Sequence, residues 1–389
     1  MTPDCEPMFI ALDEAVIGDL HARLSQYRRP PGVAGSGWNM GIDLEWLDEL
    51  VAYWRQGFDW HAAETKLNQR SHYRIPLTDA SGKTISVHIL FEPGSGTHAE
   101  PILLTAGWPS SFLEFDAVID HLAHPERYGG DVADARTVIV ADLPGFGLSD
   151  PLSAPMSHRE MAALWRSMMV DHLGYTRFLF HGGDWGAVVG SWLALDHAEH
   201  LSGLHLSMLG FRPFLDKDKP LSDAERNWLG LTKKRLAADS GYREAQSTKP
   251  NTLAVGLSDS PVAMAAWMIE KYHGWCGGAI DGPPPVDRDM LLTSATLYWA
   301  TNNLPTANWI YWADRHANDI GLDEHERVEV PTGLALFDGG FFPPPPTEWA
   351  ARAYTVVHRT DHPVGGHFPA WTQPKAFVDS LQRFARVIA

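Results

Sequence analysis

The stretch Phe178-Leu179-Phe180-His181-Gly182-Gly183-Asp184-Trp185-Gly186 decides how the rest of this 389-residue chain is read. Phe178 to Phe180 is a short apolar run of the kind that makes a buried strand, and helical periodicity follows from Ala187 to His197. Between them Gly182 and Gly186 flank Asp184 two residues to either side. Residues without a Cβ let a chain leave a strand and enter a helix within a few bonds, presenting the central side chain at the turn. A carboxylate there is suited to displacement at a saturated carbon, which makes an alkyl ester of the protein that water must later cleave. An isolated G-x-D-x-G is more often a capped turn, so this reading depends on what accompanies it.

Hydrophobic residues make up 44% of the chain, enough for a large core. The formal net charge of −17 argues against nucleic acid or an anionic membrane surface as partner, since either needs a basic face. Cys5 and Cys276 cannot build a disulfide framework and suggest a reducing compartment. Met1 to Ala15 has early acids and no sustained apolar run, unlike a signal peptide or anchor. A cytoplasmic protein is expected.

Three helices are predicted ahead of the sheet: Leu12 to Arg28, Leu44 to Trp54 (Leu47, Leu50, Val51 and Trp54 on one face), and Trp60 to Asn68. Strand candidates follow at Tyr73 to Pro76, Thr84 to Phe91, Ile102 to Ala106, Thr137 to Asp142, Arg177 to His181 and Leu204 to Met208. The later runs are continuously apolar and separated by helical segments, the signature of a parallel sheet covered on both faces. From Phe211 to about Glu326 the pattern is mostly helical, strongest at Pro261 to Tyr272 and Met290 to Ala300. Strands resume at Thr332 to Phe337 and Tyr354 to His358, before a last helix from Lys375 to Val387. Strands, a helical insertion, and strands again imply one α/β core interrupted by a cap. The expected divisions are an extension with the first strands over 1–95, core over 96–210, cap over 211–326 and core again over 327–389.

A carboxylate nucleophile needs donors for the oxyanion of its ester and a base for the water. Ala106-Gly107-Trp108-Pro109-Ser110-Ser111 closes one strand with a glycine-led turn, and the backbone N–H groups of Trp108 and Trp185 are the candidate oxyanion hole. Gly365-Gly366-His367-Phe368 follows the last strand, where a histidine on a glycine loop can reach over the strand ends. His121 with His124, and His358 with His362, lack companions at metal-ligand spacing and read as loop histidines. There is no phosphate loop. Neither a metal nor a cofactor is expected.

Taken together, these motifs resemble the microsomal-type epoxide hydrolases of the α/β-hydrolase fold, N-terminal extension included. The resemblance runs nearly end to end, through Tyr53-Trp54-Arg55, Phe58-Asp59-Trp60, Gly107-Trp108-Pro109, Asp142-Leu143-Pro144-Gly145-Phe146-Gly147, the Asp184 turn, Gln246-Ser247-Thr248-Lys249-Pro250, Leu297-Tyr298-Trp299 and Gly365-Gly366-His367-Phe368. It implies an α/β-hydrolase core with a mostly parallel sheet, a helical cap inserted between strands, and a helical extension. It also implies that an apolar, aromatic or polycyclic epoxide is opened by Asp184 to a vicinal diol. In the family two cap tyrosines hold the epoxide oxygen, and Tyr242 and Tyr311 match them. Trp108, Trp185, Trp309 and Phe368 are the expected substrate contacts. The partners implied are an epoxide and water, with a homodimer possible.

Two departures stand out. Ala106 replaces a histidine usual before Gly107, and Gly340 occupies the position where the family has the glutamate that orients its histidine. Asp338, at the end of the strand, is the expected substitute, with Glu348 as the fallback and no acid as the remaining alternative. A haloalkane dehalogenase, which shares the Asp-Trp-Gly turn, and a non-catalytic binder that has lost its acid are the competing readings.

Overall fold

Apolar runs that lack any polar alternation become interior strands here, because a strand covered on both faces has no solvent side to satisfy. A computed structural model describes residues 5–96, 99–277, 282–317 and 320–389. Its strands are β1 (Glu6–Met8), β2 (His72–Thr78), β3 (Thr84–Glu92), β4 (Glu100–Thr105), β5 (Arg136–Ala141), β6 (Phe178–Gly182), β7 (Leu201–Leu206), β8 (Val328–Phe337) and β9 (Tyr354–His362). They form one sheet in the order β1-β2-β3-β5-β4-β6-β7-β8-β9. The three pairs from β1 to β5 are antiparallel, and every pair from β5 to β9 is parallel. Every residue of β6 is buried, so the strand that delivers Asp184 lies in the middle of the core.

The elements predicted from periodicity are present with shifted ends. β7 runs from Leu201 to Leu206 rather than Leu204 to Met208. The reason is Gly203, which hides the strand's first half from an apolar-run search. A Cβ there would lie 2.5 Å from Ile388 Cδ1 and 2.8 Å from Phe384 Cζ, so the glycine lets the C-terminal helix (Pro374–Ile388) pack directly on the strand. The short edge strand β1 had no apolar signal to announce it.

Between β7 and β8 lie seven helices among the described residues, from Asp223–Ala238 to Trp309–Ala317. The N-terminal helices Glu14–Ser25, Leu44–Gln56 and Trp60–Leu67 pack beside this block rather than standing apart. Helix Leu44–Gln56 shows why. Asp43 caps it by accepting from Glu45 N and Trp46 N, and Leu47, Leu50, Val51 and Trp54 are its buried face. Burying such side chains is worth about 1.5–3 kcal/mol each, whereas losing the cap would cost about 1 kcal/mol. Trp54 Nε1 then donates to Thr296 Oγ1 at 3.1 Å, tying the extension to the cap helix Arg288–Thr301. Arg23 Nη1 does the same through the Asp259 carbonyl at 2.6 Å. No single helix among the described residues is long and apolar enough to cross a membrane.

Candidate active site

The turn after β6 places Asp184 at φ 46°, a left-handed conformation that a non-glycine residue adopts only where the surroundings fix it. Close packing does the fixing. A Cβ on Gly186 would lie 2.1 Å from the Thr105 carbonyl oxygen, and one on Gly107 would lie 2.2 Å from Asp184 Oδ1. The glycines on both strand ends are therefore required by contact, and the loop after β4 comes to rest on the carboxylate. Trp108 N donates to Asp184 Oδ1 at 2.9 Å. The Trp185 amide converges on the same spot, 2.5 Å from that hypothetical Gly107 Cβ, but makes no hydrogen bond to the carboxylate.

The other oxygen, Oδ2, lies 2.9 Å from His367 Nε2. Gly365 and Gly366, at φ 125° and 66°, turn the chain over the end of β8 to bring the imidazole there. Two hydrogen bonds hold that loop: Gly366 N donates to the Asp338 carbonyl at 3.0 Å and His367 N to the Trp275 carbonyl at 2.7 Å. The Trp275 ring also packs edge-on against the imidazole, centroids 5.1 Å apart. Trp275 ends the cap helix Pro261–Trp275, so the cap sets the height of the histidine.

Tyr242 stacks on Trp108 with centroids 5.4 Å apart and planes 10° from parallel. Tyr311 meets Trp108 and Trp185 edge to face at 5.7 and 4.9 Å. Both phenols line one cavity with Asp184 and Trp185, and burial followed by neighbouring negative charge pushes both pKa values up. They stay protonated at neutral pH, as hydrogen-bond donors must. Trp108 is held in turn by Asn308, whose Oδ1 accepts from the indole at 2.8 Å. The cavity has a volume of about 610 Å³, and Trp228, Phe341, Phe342, Pro344 and Trp349 supply much of its wall.

Comparison with known proteins agrees with this geometry. A sequence profile described as "Epoxide hydrolase N terminus" matches residues 5–115, and one described as "alpha/beta hydrolase fold" matches residues 100–308. A Stigmatella aurantiaca protein assigned by name to the epoxide hydrolases is 34% identical over 98% of this chain and 84% of its own length. The chain belongs to the epoxide hydrolases. Pig epoxide hydrolase 1 is 29% identical over 97% of this chain and 88% of its own. Among solved structures, the Aspergillus niger epoxide hydrolase superposes with a TM-score of 0.84 at 26% identity, covering 100% of this chain and 97% of that one. The silkworm juvenile hormone epoxide hydrolase gives 0.83 at 25% identity over 99% and 94%.

Against the family's pattern, this epoxide hydrolase corrects the expectations for the acid, Asp338 or Glu348, and for the substrate contacts Trp309, Phe368 and Trp108. Asp338 does not reach His367. Its Oδ1 accepts from Arg235 Nη1 at 3.2 Å and from Gly339 N at 2.8 Å, and the half-exposed carboxylate turns outward. What Asp338 gives the histidine is its main-chain carbonyl. Glu348 is no substitute, since its Oε1 accepts from Ser222 Oγ at 2.9 Å. At Gly340 a Cβ would lie 2.9 Å from His367 N and 2.9 Å from the Trp275 carbonyl, so the backbone itself fills the room a side chain would need. Trp309 is not part of the cavity wall; its indole donates to Asn251 Oδ1 at 3.2 Å on the outside of the cap. Phe368 is 1% exposed and packs against Tyr272, Trp275 and Trp371, behind the histidine rather than in the cavity. Trp108, fully buried, is covered by the two phenols and bounds the site only through them.

Glu114 went unnoticed in the sequence. It is buried beneath the Trp108 loop, and desolvation, together with the Asp184 charge, pushes its carboxyl up to about 8 against the opposing Ser110 hydroxyl. A neutral acid there leaves Asp184 as the negative charge of the site. Trp275 and Asn308 were missed because each acts on a residue from a distant segment.

Proposed function

We propose that this enzyme opens an apolar, aromatic or polycyclic epoxide through an ester on Asp184. The observation that carries this reading is a single carboxylate with Oδ1 on the Trp108 amide, Oδ2 on His367, and two protonated phenols in the same apolar cavity. A carboxylate oxygen of Asp184 attacks a ring carbon, and the carbon–oxygen bond breaks. The electron pair passes to the ring oxygen, which takes a proton from Tyr242 or Tyr311; an alkoxide is more basic than even a raised phenolate. Water then attacks the ester carbonyl while His367 takes its proton. The amides of Trp108 and Trp185 receive the oxyanion as it forms. Collapse releases the diol and the carboxylate, and the imidazolium returns the proton to the phenolate. Among the described residues no carboxylate meets His367 to fix its tautomer, so ester hydrolysis is the slower step.

A dehalogenase needs two N–H donors for halide. Among the described residues the Trp185 indole is free to be one, but that of Trp108 is already given to Asn308, which leaves the second place unfilled. Incubation with styrene-type epoxides is expected to give diol, and with bromoalkanes no bromide. Bromide release without diol would reverse the assignment.

A further inference from the structure

The cavity that holds Asp184, Tyr242 and Tyr311 has a chemical feature that ring opening does not use. The chain carries 48 acidic residues against 31 basic ones, so an average stretch of its surface is negative. The cavity wall reverses that balance, with three cations, Arg212, Lys233 and Arg243, and one carboxylate, Asp184 itself. Arg243 is partly satisfied, since its Nη2 donates to buried Asp314 Oδ2 at 3.2 Å. Arg212 and Lys233 form no ion pair among the described residues.

Arg212 starts from a fixed point. Its N–H donates to the Ile320 carbonyl at 2.8 Å, and its carbonyl accepts from Leu322 N at 3.0 Å. Though open to solvent by area, it is crowded enough by surrounding protein, with Arg243 adding its charge, that its pKa is lowered. An anion would relieve both effects. Thr232, beside Lys233, also lines the cavity, with a buried hydroxyl that has no protein partner.

We propose that Arg212 is a specificity-determining residue, and that the epoxide substrate carries a carboxylate remote from the ring, joined to it by an apolar body that fills the cavity. This rests on the assignment of ring opening to Asp184. The planar guanidinium fork matches a carboxylate in two parallel hydrogen bonds. Arg243 is paired with Asp314 and Arg212 also feels that buried carboxylate, so the two guanidiniums together leave one positive charge over, which a monoanion matches, and Lys233 is a further cation on the same wall. The chain's negative charge repels an anion at long range, so recognition must come from contacts inside the cavity.

The test uses styrene oxides bearing a para ω-carboxyalkoxy chain of graded length, each beside its neutral methyl ester, with unsubstituted styrene oxide as reference. At the length that reaches Arg212, the acid is expected to exceed its ester in kcat/KM by roughly tenfold or more. The gain lies in KM and shrinks as salt is added. Arg212→Met should bring the ratio of acid to ester near one, and Arg212→Lys should keep part of it. Esters as good as acids at every length, or a preference that survives Arg212→Met, would overturn the proposal. If none of these epoxides, acid, ester or unsubstituted, is opened, the assignment to Asp184 has failed, and this proposal with it.

Discussion

The two oxygens of Asp184 face halves of the site that are built in different ways. On the Oδ1 side everything is main chain and core: β6, the loop after β4, and glycines whose missing side chains let backbone touch carboxylate. On the Oδ2 side His367 hangs on a glycine loop, fastened to the Asp338 carbonyl and to the end of a cap helix, with no carboxylate behind it among the described residues. The first half is rigid because sterics leave no alternative. The second is positioned by a carbonyl of the cap, so it depends on the cap staying closed. The comparison implies that alkylation is well supported and that hydrolysis of the ester is the weaker step.

The largest effect should fall on the first step. Tyr242→Phe and Tyr311→Phe each remove one donor and keep the ring, and each should slow single-turnover alkylation by on the order of a hundredfold. The double variant should form no ester, and alkylation at the parent rate would break the account of this half. Stability should respond to pH next. Burial, with the His88 charge second, lowers His72 to about 4, and burial lowers His181, in the strand leading to Asp184, to about 3. The unfolded chain therefore binds more protons than the folded one below pH 6.5, and stability is lost as pH falls from there through those values. Glu114 acts in the opposite sense: stability falls as pH rises from 4.5 toward about 8. Urea midpoints across pH should show both slopes, and Glu114→Gln should remove the second; an unchanged slope in that variant would contradict the assignment. The smallest effect is expected for Asp338→Asn. Its half-exposed pair with Arg235 is worth about 1 kcal/mol or less, and turnover should change less than about threefold. A loss of orders of magnitude would mean that Asp338 does meet His367 during the reaction.

The legible half of the site is also the half fixed by local sequence. Gly182, Asp184 and Gly186 lie within five consecutive residues, and the strand before them is one apolar run. Gly365-Gly366-His367 is equally local. Tyr242 and Tyr311 were found through likeness to the family, since nothing in their own neighbourhoods distinguishes them from packing residues. What escaped reading depends on which way a helix faces and on what lies opposite. In Trp309–Ala317 the 3.6-residue turn sends Ile310 and Tyr311 inward and Trp309 outward, and four adjacent aromatic or apolar residues do not reveal that phase. Asp338 occupies a strand end suited to an acid, but Arg235, about a hundred residues earlier, claims its carboxylate. Trp275 matters through a carbonyl, a group every residue has.

The central claim is a covalent ester on Asp184 whose release depends on His367. His367→Gln should therefore alkylate and then stall. After incubation with a styrene-type epoxide, the intact mass of this variant should rise by the mass of the substrate, and peptide mapping should place the adduct on Asp184. An unmodified protein, or an adduct on any other residue, would contradict the account.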